Sequence, residues 1–192
     1  MRRRFALVLM VMAAVAPFSI GGVDAAQVSV TQVDTNADGT TTYHFSIRVG
    51  DNETMGPAAS ADLPADFVTV YNFYGLVDGS VKTPEGWQFS SEPSGRTPAM
   101  GGYPLVLPID VPGTPNLTWT ATASVKPATE VTGFSATTRV STMTDGMYSV
   151  FVTERSGPIK GASGALGAGA TVSKQAQIGT IATPSFLLDL KK

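Results

Sequence analysis

From Thr42 to Val49 every second residue is bulky and apolar: Tyr43, Phe45, Ile47 and Val49 alternate with Thr42, His44, Ser46 and Arg48. A chain with this spacing hides one side of itself only when extended, because successive side chains of a strand point to opposite faces. Val28, Val30 and Val33 form a second β-prone run just before it, and Asp38-Gly39 lies between the two where a tight hairpin turn belongs. Phe67 to Tyr74 is apolar on both faces and reads as a central strand. Further strands are expected over 87–90, 105–109, 117–124, 132–140, 147–154, 171–178 and 186–190. About 8–10 short strands punctuated by Gly and Pro predict an all-β fold, an antiparallel β-sandwich. Two stretches read as irregular connections: Asp51 to Pro64, rich in Ala and Pro, and the low-complexity Gly161 to Ala170.

The first residues follow other rules. Met-Arg-Arg-Arg is followed by an unbroken apolar run from Phe5 to Ala16, then Pro17 and the small residues around Gly21 to Ala26. A basic start, a short apolar stretch and a small-x-small site predict a signal peptide over 1–25, cut after Ala25, with a β-sandwich domain over 26–192. Pro17 and Gly21-Gly22 interrupt the run well short of the roughly 20 residues a spanning helix requires, so no stable membrane span is expected once the leader is removed. The product is expected to be secreted or extracellular, with the periplasm as another destination. The 192 residues hold no cysteine, which excludes disulfides, thiolate metal sites and cysteine nucleophiles. A net charge of −2, with no basic cluster beyond residue 4, lacks the electrostatic footprint of a nucleic-acid binder.

Residues 66–120 carry a further pattern: Asp66-Phe67-Val68-Thr69-Val70-Tyr71-Asn72-Phe73, then Gly75-Leu76, Pro84-Glu85-Gly86-Trp87 and Pro115-Asn116-Leu117-Thr118-Trp119-Thr120. This succession resembles exported bacterial β-rich proteins of unknown function of the PEP-CTERM-associated type, and Ile178 to Pro184 resembles their closing strand. The resemblance implies a secreted β-rich domain without an assigned activity and supplies no catalytic residue. The chain departs from those relatives at its end, where Phe186 to Lys192 carries no Pro-Glu-Pro motif.

Few motifs could carry chemistry. Asp34, Asn36 and Asp38, followed by Gly39, match the first half of a calcium loop, in which alternate oxygen side chains face one ion and glycine makes the sharp turn. The twelfth position, where a bidentate Glu belongs, is Phe45, so a polar hairpin turn capped by its own Asp and Asn stands as the simpler reading. His44 is the one histidine and falls on the polar face of its strand, which argues for a solvent-facing residue rather than a triad member. Paired carboxylates need only proximity in space, and Asp62, Asp66, Asp78, Glu85, Glu92 and Asp110 all fall near strand ends. Among the aromatics, Tyr71, Phe73, Phe89, Tyr103 and Trp119 are expected in the core. Tyr74, opposite Phe73, and Trp87, just after a turn, are the candidates for an exposed ligand-binding platform.

These features predict a secreted, non-enzymatic β-sandwich with a structural or adhesive role at a cell surface or in an extracellular matrix, its partner a cell-surface glycan or protein. A secreted polysaccharide-active hydrolase using paired carboxylates is the alternative.

Overall fold

A computed structural model describes residues 25–59, 64–93, 110–156 and 171–186. The expected strands at 105–109 and 186–190, the leader and the Gly161–Ala170 stretch therefore lie outside the described residues, apart from Ala25 and Phe186. Among the described residues there are nine strands and no helix. In chain order they are β1 (Gln27–Thr35), β2 (Thr41–Arg48), β3 (Glu53–Thr54), β4 (Phe67–Val70), β5 (Trp87–Glu92), β6 (Asn116–Ala121), β7 (Glu130–Thr138), β8 (Met143–Ser156) and β9 (Thr171–Pro184). They form two antiparallel sheets, one ordered β1-β2-β7, the other β3-β8-β4-β6-β5 with β9 on the far side of β8. The expected all-β sandwich is the architecture found.

The alternation of β2 sets the smaller sheet. Tyr43, Phe45 and Ile47 are buried, and the β1–β2 hairpin closes at Asn36–Thr40, with Gly39 at φ 84°. Opposite them the larger sheet presents Val68 and Val70 of β4, Leu117 and Trp119 of β6, and Val150 and Val152 of β8. Trp119 sits where the layers meet, with ring centroids of Phe45, Phe89 and Phe134 within 5.4–5.8 Å. β4 is central, lying between β6 and β8, and all four of its residues are buried. It is shorter than the sequence predicts. Asn72 takes a left-handed φ of 53°, which turns the chain out of the ladder after Val70 and Tyr71.

Its first face is apolar, and its second mixes Phe67 with hydroxyl groups. The Thr69 and Thr118 hydroxyls meet at 2.9 Å, and the Tyr71 hydroxyl meets that of Ser149 at 2.9 Å. Burying hydroxyls is costly unless they find partners, and cross-strand pairing supplies them here.

The β8–β9 ribbon is longer than expected, 14 residues on each strand. Its interior glycines do not end the strands; they make room. A Cβ on Gly179 would stand 2.4 Å from the ring of its cross-strand partner Tyr148, and one on Gly146 would meet Thr183 at 2.2 Å. With Gly179 beneath it, the Tyr148 ring lies across β9, and burial pushes its phenol up while the Val28 backbone of the smaller sheet pulls it down. Among the described residues no helix is long and apolar enough to cross a membrane.

Two outcomes are expected. Gly179→Ala forces the Tyr148 ring aside, and denaturant unfolding should show a loss of about 1–3 kcal/mol, the usual scale for overpacking. Tyr43 carries a buried hydroxyl without a hydrogen-bond partner among the described residues, and burial pushes its phenol up to about 12. Because the folded-state value lies above the unfolded one, that residue's contribution is intact below pH 10 and lost as pH rises towards 12. Tyr43→Phe should therefore match or exceed wild-type stability at neutral pH and flatten the alkaline limb of a stability profile measured above pH 10.

Candidate functional site

The ionisable groups that the fold draws together lie where β3 ends and β4 begins. The backbone N–H of Asp66 donates to the carbonyl of Gly56 at 2.9 Å, pinching off the loop between β3 and β4. The Asp66 side chain closes the same junction: its Oδ2 accepts the Gly56 N–H at 2.9 Å and the Thr153 hydroxyl at 3.0 Å. Lys174 completes the set, its Nζ donating to Oδ1 at 2.6 Å. Strand register explains the meeting, since Thr153 of β8 faces both Thr54 of β3 and Lys174 of β9. The ammonium reaches past Thr153 to a carboxylate 108 residues away in sequence.

This pair is removed from water, with Asp66 2% and Lys174 15% exposed at the side chain. Phe67 and Phe151 stack at 5.4 Å beside it, and Lys174 Nζ stands 5.5 Å from the centre of the Phe151 ring. Burial pushes the Asp66 carboxyl above its ordinary range, although Lys174, Thr153 and Gly56 all pull it down. Desolvation outweighs the combined effect of these partners. A second carboxylate is held close by along the chain: Glu53 accepts the Gly50 N–H at 3.1 Å and the side-chain amide of Gln177.

The residues singled out from sequence are distributed differently. Asp34 pairs with Gln32 at 2.7 Å and with His44 Nε2 at 2.9 Å, and these contacts, the one to Gln32 foremost, hold its carboxyl below the usual range. His44 thus lies on the polar face as expected, 37% exposed at the side chain. Asn36 donates to the hydroxyls of Thr40 and Thr42, while Asp38 accepts from the Thr40 hydroxyl and N–H, which lowers its pKa. All three side chains are engaged with their own turn or the adjoining strands, and among the described residues no three His, Asp or Glu side chains cluster as a metal site would require.

Trp87 is a correction. Expected at the surface, it is 8% exposed and packs edge-on against Phe134 at 5.1 Å, because β5 begins at Trp87 and points it, with Phe89, into the sandwich. Tyr74 does lie at the edge of the fold, half-buried, with the ring of the exposed Phe186 edge-on at 5.4 Å.

Of the candidate acids, Asp62 lies outside the described residues, and Asp78 and Glu85 are exposed. Asp110 accepts from the Asn116 amide at 2.9 Å; Asn116 in turn accepts the Asn72 N–H at 2.7 Å, stabilising the turn that ends β4. The association of Asp66 with Lys174 and the Phe186 contact escaped the sequence reading. The one sequence trace of the first is a lone Lys in the otherwise uncharged run 171–184.

No protein-family model matches the chain, and neither does any curated protein.

Removing one member of a buried pair leaves the other charge uncompensated, which typically costs about 3–5 kcal/mol. Lys174→Met should show a loss on that scale by denaturant unfolding. Replacing Asp66 as well, by Leu, should recover much of it, and a double-substitution cycle measures the coupling.

Proposed function

We propose that the protein is an exported, non-enzymatic β-sandwich acting at a cell surface or in an extracellular matrix, by structural association or adhesion to a glycan or protein there. The observation that carries this reading is the aromatic pair at one end of the sandwich. Phe186 is 56% exposed and meets Tyr74 edge-on, and Met143, whose strand partner Pro184 lies two residues before Phe186, is 44% exposed. Aromatic side chains with few rotatable bonds offer contact area at little entropic cost, and they suit both sugar faces and apolar protein surfaces. The leader-like start and the resemblance of the motif succession to exported PEP-CTERM-associated proteins support export. The structural use of Asp66 and Glu53, each tied to backbone N–H groups and to a side chain of β9, supports a non-enzymatic role over the hydrolase alternative.

The test is retention of the purified protein on isolated cell envelope and on a glycan array. Wild type is expected to bind, and the double substitution Tyr74→Ala with Phe186→Ala to lose at least about tenfold in affinity, the scale of one good aromatic contact. Wild-type silence on both surfaces would remove the adhesive reading. Equal binding by both proteins would remove the aromatic pair from it.

A further inference from the structure

We propose that the Lys174 amine and the Asp66 carboxyl condense into an intramolecular amide, making this pair a self-modification site that joins β9 to the start of β4. The inference stands on the geometry of the pair and is independent of the adhesive reading. Lys174 Nζ lies 2.6 Å from Asp66 Oδ1, against an apolar wall formed by the stacked rings of Phe67 and Phe151. The two carboxyl oxygens have different surroundings. Oδ2 accepts hydrogen bonds from the Gly56 N–H at 2.9 Å and the Thr153 hydroxyl at 3.0 Å. Oδ1 faces the amine, with the Thr153 hydroxyl farther off at 3.4 Å.

That asymmetry assigns the steps. The proton in the short contact passes from Nζ to Oδ1, leaving an amine and a carboxylic acid. The Nζ lone pair then attacks Cγ, and the charge that develops on Oδ2 is met by two donors already in place, as in an oxyanion hole. Oδ1 takes a second proton from Nζ and leaves as water, while Oδ2 becomes the amide oxygen. One C–N bond forms, one C–O bond breaks and one water departs; nothing is oxidised or reduced.

Two physical terms favour the reaction. Lys174 is placed by strand register and Asp66 by its hydrogen bonds to Gly56 and Thr153, and well-oriented intramolecular partners reach effective molarities of about 10⁵ M or more. The product also replaces two desolvated charges with one neutral amide, relieving the burial cost of the ion pair. The upward displacement of the Asp66 carboxyl is consistent with easy access to the neutral acid.

The experiment is peptide mass analysis of the folded, full-length chain after proteolysis. The expected result is a branched species containing both Asp66 and Lys174, lighter by one water than the two linear peptides together. Lys174→Arg retains the cation and its pairing with Asp66 but has no amine to acylate, and should yield only the linear Asp66 peptide. Finding only linear peptides in folded wild type after prolonged incubation would overturn the proposal. A branched species joined through Asp66 in Lys174→Arg would overturn the assignment of the nucleophile.

Discussion

The packing of rings around Trp119 is the constraint on which the two sheets depend. Phe45 and Phe134 of the smaller sheet and Phe89 of its own sheet all pack around the indole, so this one side chain bridges the two layers at their centre. Large aromatic side chains each bury about 150–250 Å², and such a cluster supplies cohesion that small secreted folds often draw from disulfides. A cysteine-free chain has no such staple. Its layers must interlock by shape, as where Phe73 meets both Tyr43 and Phe45 edge-on.

Around that core, polar groups serve as fasteners. The Thr69–Thr118 and Tyr71–Ser149 hydroxyl contacts knit the second face of β4 to its neighbours. The Asp110–Asn116–Asn72 chain secures the turn that ends β4. Asp66 and Glu53, on either side of the β3–β4 junction, each combine a backbone N–H with a side chain from β9. The ends of short strands, where ladder bonds stop, are thereby kept from fraying.

The period-two signal in β2 and the burial of β4 on both faces were legible because burial acts locally and leaves its spacing in the sequence. Trp87 was misjudged because a neighbouring turn was weighed above that same rule: Trp87 and Phe89 are two apart, and both point inward. The strands expected over 147–154 and 171–178 stop short of Gly146 and Gly179, yet these glycines lie within β8 and β9 and mark close approach of opposing side chains, which only the register reveals. The meeting of Lys174 with Asp66 was illegible for a deeper reason. It depends on the simultaneous register of β3, β8 and β9, which no window of sequence contains.

The dependence of the β3–β4 junction on β9 also sets an order of assembly. Both buried acids take a partner from the final described strand, Lys174 for Asp66 and Gln177 for Glu53. A nascent chain lacking that strand leaves each of these buried carboxyl groups without its side-chain partner from β9. Closure must await the arrival of the last ribbon, and non-local pairing of this kind is intrinsically slow.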